Sequence, residues 1–186
     1  VTEVFLGVGS NVAAEAHLEL ALAGLEAQFG SLSVSRVFRN PAVGCVADDF
    51  LNLAVRIDTT LPPPALRQAL RTIEQGAARD RSSTGSGRWT LDIDLLLYGR
   101  RVDAAMKLPR ADILRHAYVL CPLAELAPEL RHPVTGQALR DAWFQHCAAG
   151  AAWIGSGWHL ARVAAPGGDG PFGVPAAHPD PVPAAC

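Results

Sequence analysis

What this sequence lacks narrows the field first. Neither sign of charge dominates: 16 Lys and Arg stand against 18 Asp and Glu, a formal net charge of −2. That balance gives no general pull toward nucleic acid or an anionic membrane. No apolar run is long enough to span a bilayer. Residues 1–6 lack the basic start of a signal peptide. The four cysteines, Cys45, Cys121, Cys147 and Cys186, form no CxxC pair and no zinc spacing with histidine. The expected setting is therefore a reducing cytoplasm, with buried or idle thiols. A dinucleotide fingerprint is also missing: after Gly7-Val8-Gly9-Ser10-Asn11, Val12 stands where the third glycine is needed. What remains there is a short strand, Val4 to Val8, entering a tight turn, with Ser10 or Asn11 capping the helix that follows.

What is present fits one domain with a tail. The 186 residues are 49% hydrophobic, enough for a core. From Ala148 the composition shifts to Ala, Gly and Pro, and large apolar residues become scarce beyond Ala164. The expected division is a domain over 1–147 and a largely disordered extension over 148–186, its start pinned by Trp153 and Trp158.

The most informative stretch is Thr90-Leu91-Asp92-Ile93-Asp94-Leu95-Leu96-Leu97-Tyr98-Gly99. A run this short, stopped by glycine, predicts a buried strand. Alternation puts Asp92 and Asp94 on one face with Thr90 and Leu96, and Leu91, Ile93, Leu95 and Leu97 on the other. Adjacent carboxylates repel and resist desolvation. A hard cation with oxygen ligands compensates them, and Mg²⁺ completes its shell with substrate phosphates. The competing reading is a half-exposed edge strand with two solvated acids. Just before it, residues 79–87 hold Arg79, Arg81, serines and glycines. Guanidinium forks there suit phosphate oxygens; the alternative is a solvated linker.

Around this strand the periodicities predict a simple order. A helix over 13–29 carries Leu18, Leu22, Leu25 and Phe29 as its core stripe, stopped by Gly30, with His17 at the surface. Leu32 to Arg39 alternates as a strand, and 40–49 is a loop. Phe50 to Thr60 is a strand with Phe50, Asn52, Ala54, Arg56 and Asp58 on one face. An asparagine and an aromatic so placed can bond and stack a flat heterocycle, or be ordinary strand surface. Residues 64–78 form a second helix on Leu66, Leu70 and Ile73. Arg100 to Asp103 forms a turn with room for a short strand. Shorter helical segments follow near 110–115, 118–126 and 139–144. Strand, helix, strand, strand, helix, strand is a ferredoxin-like βαββαβ arrangement: an α+β antiparallel sheet with both helices on one face, here with C-terminal helical additions.

Several segments together resemble one family. Phe5-Leu6-Gly7-Val8-Gly9-Ser10-Asn11 is similar to its opening motif, Phe50-Leu51-Asn52 to its substrate strand, and the aspartate stretch to its most characteristic signature. Tyr118-Val119-Leu120-Cys121-Pro122-Leu123 followed by Ala127-Pro128 matches a later motif. The family is 6-hydroxymethyl-7,8-dihydropterin pyrophosphokinase of folate biosynthesis, and the resemblance runs over about residues 4 to 143.

The resemblance implies a cytoplasmic enzyme that moves pyrophosphate from ATP to the hydroxymethyl group of a reduced pterin, releasing AMP. It implies catalytic roles for Arg79, Asp92 and Asp94, with Asp92 and Asp94 holding two Mg²⁺ ions on the triphosphate. The pterin side would comprise Val43, Gly44, Phe50, Asn52, Asp92 and Tyr118. The ATP side would comprise Glu74, Arg79, Arg81, Arg88, Ile93, Arg110 and His116. The expected partners are ATP and a reduced pterin, with no nucleic acid and no membrane, in a monomer or dimer.

The chain departs from the family pattern at several positions. Trp89 replaces the arginine usually found before Thr-Leu-Asp, Arg110 a frequent histidine, His116 a usual arginine and Phe50 a common tyrosine. These departures support an alternative, a paralogue that binds pterin or nucleotide with weak or altered catalysis. A more distant one is an RNA-binding ferredoxin-like module.

Overall fold

The computed structural model describes residues 1–42, 48–77, 90–149 and 161–162. Among these described residues, six strands and four α-helices follow in the order β1 (Thr2–Ser10), α1 (Ala14–Phe29), β2 (Ser33–Val34), β3 (Phe38–Asn40), β4 (Phe50–Thr59), α2 (Pro63–Ala77), β5 (Asp92–Tyr98), α3 (Ala117–Leu126), α4 (Leu139–Ala149) and β6 (Ala161–Arg162). A 3-10 turn at Ala111–Leu114 precedes α3. The sheet order is β5-β1-β4-β3-β6, with β2 also on β4, and every pairing is antiparallel. This is the predicted ferredoxin-like arrangement.

The sheet buries two faces. On the first, α1 and α2 lay Leu18, Leu22, Leu25, Leu66 and Leu70 over Val4, Leu6, Val8, Leu53, Val55, Ile57, Ile93 and Leu95. On the second, α3 and α4 cover Phe5, Phe38, Ala54, Leu96 and Leu97 with Leu120, Leu123, Leu139 and Trp143. Burial of this kind stabilises by about 25 cal/mol per Å² of apolar surface, which explains why both helix pairs stay on the sheet.

Local chemistry changes several sequence expectations. The glycines Gly7 and Gly9 lie inside β1, not in a turn after it. Helix α1 is not capped by Ser10 or Asn11. Its N-cap is Ala13, in the left-handed region at φ 41°, with no side-chain cap bond. Ser10 Oγ instead donates to the Thr90 carbonyl at 2.6 Å, tying β1 to the approach of β5. His17 is half-buried rather than at the surface, its Nδ1 against the Val12 carbonyl.

The single strand expected over 32–39 is two, β2 and β3. Ser35 breaks it: its Oγ accepts the Ala54 N–H at 2.8 Å, and its own N–H bonds the Ala54 carbonyl at 2.9 Å. The break changes the alternation, so Val34 and Val37 pack on the first face and Phe38 on the second. Leu97 is a further correction. Register shifts between Phe5 and Leu6, where Phe5 faces Leu97 but Leu6 faces Leu95. That β-bulge turns both Leu96 and Leu97 toward the second face.

The last helix is longer than the segment expected at 139–144, continuing to Ala149, past the expected domain limit at 147. Two residues further along the extension, Ala161–Arg162, pair with Phe38 and Arg39 as an edge strand; its other residues beyond Ala149, Trp153 and Trp158 among them, lie outside the described residues. Arg100 to Asp103 supplies a turn and a single bridge from Asp103 to Leu108 rather than a strand. Cys121 is buried, as expected. Cys147 is not idle: it is disulfide-bonded. No helix among the described residues is long and apolar enough to cross a membrane.

Candidate active site

Packing on the second face stops short of the ends of β1, β4 and β5. There a cleft of roughly 250 Å³ opens between the sheet and α3. Register explains which side chains reach it. Gly9 is paired with Asn52 on one side and Asp92 on the other; Gly7 is paired with Ala54 and Asp94. The two glycines therefore form a floor without side chains, flanked by the asparagine and the two acids. A Cβ on Gly9 would stand 2.7 Å from Asn52 Oδ1, so only glycine leaves that amide its place.

Six of the expected site residues line this one cleft: Phe50, Asn52, Asp92, Asp94, Arg110 and Tyr118. Asp94 Oδ1 meets Arg110 Nη1 at 3.0 Å, and Arg110 Nε donates to Asp112 Oδ2 at 2.7 Å. One guanidinium thus bridges two carboxylates. His116 stands behind, stacked on Tyr118 with ring centroids 5.0 Å apart and planes 15° off parallel.

The other expectations fall differently. Glu74, on α2, accepts the Ile93 N–H at 2.7 Å. The Ile93 side chain is buried in the first-face core, so only its backbone faces Glu74. Val43, Gly44, Arg79, Arg81 and Arg88 lie outside the described residues, as does Trp89.

Sequence reasoning missed three contributors. Asn40 was absorbed into a loop because it precedes Pro41, yet it ends β3 and lines the cleft. Asp112 sits two residues after Arg110, a spacing that could have flagged the ion pair. The glycines of β1 were read as a turn; their direct opposition to Asn52 and Asp92 becomes visible only with the register.

The electrostatics follow from this enclosure. Burial pushes the Asp94 carboxyl up to about 6, helped by Asp92 and opposed by Arg110. Asp92 is exposed at the cleft mouth by area, but the surrounding walls still raise its pKa, against Arg110. Glu74 is raised by burial and by Asp92, while the Ile93 N–H works the other way. Burial raises the Tyr118 hydroxyl too, with Asp112 and Asp94 adding to it. Two cleft carboxylates that resist ionisation, with Glu74 close enough to Asp92 to be raised by it, are short of positive charge. No group of three or more His, Cys, Asp or Glu side chains fit for a metal occurs among the described residues. Two carboxylate donors alone are still the set expected for Mg²⁺, which takes its remaining ligands from water and phosphate.

Comparison with known proteins gives the same direction. The family described as 7,8-dihydro-6-hydroxymethylpterin-pyrophosphokinase matches residues 5–128. The chain is 38% identical over 148 residues to a protein of Methylorubrum extorquens named 2-amino-4-hydroxy-6-hydroxymethyldihydropteridine pyrophosphokinase, covering 76% of this chain and 92% of that one. A protein of the same name from Pseudomonas aeruginosa is 35% identical over 145 residues, covering 72% and 85%. Among solved structures, a Plasmodium falciparum HPPK-DHPS superimposes with a TM-score of 0.68 at 12% identity, over 86% of this chain. The chain spans about half of that longer protein, 48%, and at such identity the likeness speaks for the fold alone.

Proposed function

The chain belongs to the 7,8-dihydro-6-hydroxymethylpterin-pyrophosphokinase family, and from that premise we propose how its cleft divides the work. The protein is an enzyme of folate biosynthesis. It transfers pyrophosphate from ATP to the hydroxymethyl group of 6-hydroxymethyl-7,8-dihydropterin, releasing AMP. The observation that carries the site assignment is the meeting of Asp92, Asp94, Asn52, Phe50, Tyr118 and Arg110 in one cleft.

Asn52 binds the polar edge of the pterin, with backbone groups near Val43 and Gly44, while Phe50 and Tyr118 flank its ring faces. Asp92 and Asp94 hold two Mg²⁺ ions together with the triphosphate, and Asp92 also reaches the pterin side. When bound, those ions neutralise charge on the phosphate oxygens. Arg110, Arg79, Arg81 and Arg88 supply further positive charge where it builds up during transfer. Glu74, the Ile93 backbone and His116 orient the nucleotide. The attacking hydroxyl lies in line with the β-phosphorus, and positioning supplies much of the rate. The catalytic unit is the domain over 1–147.

The test is Mg²⁺-dependent release of AMP from ATP with 6-hydroxymethyl-7,8-dihydropterin, with Asp92→Ala and Asp94→Ala as controls. Activity lost in both variants supports the assignment. Wild type releasing no AMP with any reduced pterin rejects it. A second reading, altered catalysis, draws on Arg110, which already bridges Asp94 and Asp112. It predicts pterin and ATP binding with slow turnover.

A further inference from the structure

Asn52 has two ways to present its amide to the cleft, related by a half-turn, and a chain of hydrogen bonds chooses between them. The chain starts at the Pro41 carbonyl, which can only accept. Asn40 Nδ2 donates to it at 2.9 Å. That fixes Asn40 Oδ1 on the opposite side, where it accepts from Asn52 Nδ2 at 2.6 Å. Asn52 Oδ1 is then left over the bare floor at Gly9. Both amides are enclosed, Asn40 at 2% and Asn52 at 9% exposure, so a reversed amide would leave a buried donor facing a donor. Such a mismatch is disfavoured because the buried donor keeps no acceptor. The two residues are diagonal neighbours on adjacent strands, since Asn40 pairs with Phe50 and Phe38 with Asn52.

We propose that Asn40 is a positioning residue: it fixes the order in which Asn52 shows acceptor and donor, and so makes the cleft select a lactam ring edge over an amidine edge. A 2-amino-4-oxo ring offers an N3–H donor beside an O4 acceptor. A 2,4-diamino ring offers an N3 acceptor beside a 4-amino donor, the reverse order. An amide held one way round pairs with the first and opposes the second. An amide free to turn accepts either. The inference rests on the pterin reading of the cleft and adds a residue and a selectivity to it.

The experiment measures Kd for 6-hydroxymethylpterin and for 2,4-diamino-6-hydroxymethylpteridine by fluorescence titration, with Mg²⁺ and a non-hydrolysable ATP analogue present. Wild type is compared with Asn40→Leu, Asn40→Ala and Asn40→Asp, each checked for folding by thermal melt. Asn40→Leu and Asn40→Ala remove the acceptor, with Ala the smaller in case Leu does not fit. Asn40→Asp in its protonated form restores both bonds, its hydroxyl to Pro41 and its carbonyl to Asn52. Wild type should prefer the oxo compound by at least about 100-fold. The ratio should fall at least tenfold in the Leu and Ala variants and stay within threefold of wild type in Asp, whatever happens to absolute affinity. A structural role alone would weaken both ligands equally and leave the ratio unmoved, which overturns the proposal. So does a wild type that binds both compounds alike. A wild type that binds neither removes the pterin reading itself, and the proposal with it.

Discussion

Asp94 should make this protein less stable than it would be without that charge, and the deficit should follow pH. Burial lifts its carboxyl from the ordinary 3.8 to about 6 in the folded chain. An acid raised on folding holds its proton longer in the native state. Stability is therefore lost as pH climbs from about 4 to 6, because the native chain must release a proton the unfolded chain has already lost. A rise from 3.8 to about 6 corresponds to about 3 kcal/mol. The Arg110 contact at 3.0 Å already lowers that value. Because the side chain keeps 30% of its surface in solvent, a measured effect of about 1–3 kcal/mol is expected.

Asp94→Asn removes the titration and keeps the shape. At pH 7.5 the variant should melt higher than wild type, by about 2–4 °C for each kcal/mol in a chain of this size. The gap should narrow toward pH 4, where native Asp94 is protonated and the unfolded carboxyl nears its own midpoint at the ordinary 3.8. The assay is a pair of thermal melts across pH 4 to 8, without nucleotide or divalent metal, with AMP release measured in parallel. Activity should be lost while stability is gained. A variant no more stable than wild type at pH 7.5, or a difference that does not shrink as pH falls, refutes the reasoning.

Two other perturbations test the same cleft from different sides. Gly9→Ala places a methyl where Asn52 Oδ1 now sits, 2.7 Å away; KM for the pterin should rise at least about tenfold, as expected when a buried amide is displaced, while KM for ATP stays within about twofold. An equal change in both would place the damage in the fold rather than at the amide. Arg110→Ala removes the cation that Asp94 and Asp112 share, so Mn²⁺ affinity without nucleotide, read by electron paramagnetic resonance at pH 8, should increase about tenfold. Weaker Mn²⁺ binding would show that Arg110 orders the carboxylates instead of competing for them.

Which parts of this were legible in the sequence depends on the range of the interactions involved. The element order, the core stripes of α1 and α2 and the shared face of Asp92 and Asp94 follow from local periodicity, and these stood. The strand break at Ser35 did not, because its cause is Ala54, nineteen residues away. The β-bulge at Leu96 depends on register against Phe5, which no alternation within β5 reveals. Asn40 reads as an ordinary residue before proline until β3 is seen beside β4. The spacing of Arg110 and Asp112 hints at their pair, but its place in the site shows only once Arg110 is seen against Asp94. Local pattern thus found the acids and the asparagine that lie on regular strands, and missed the groups that hold them.

The position of the cleft has a physical origin in β1. On its second face the residues are Phe5, Gly7 and Gly9. Phe5 is packed beneath the α3 and α4 side chains, and the glycines beyond it give those helices nothing to cover. Gly7 would have room for a methyl only at 3.4 Å from Leu96, and Gly9 has none. Each glycine costs the strand roughly 0.5–1 kcal/mol, and two half-enclosed acids add to that. The opposite face carries the compensation, with continuous packing of Leu and Val residues under α1 and α2. The two demands can coexist because alternate residues of one strand serve different faces. Val4, Leu6 and Val8 hold the sheet, while Gly7 and Gly9 between them leave open the surface on which Asp92, Asp94 and Asn52 stand. Filling that surface with larger side chains should abolish the site, since the atoms missing at Gly7 and Gly9 are what leave Asn52 and the acids their room.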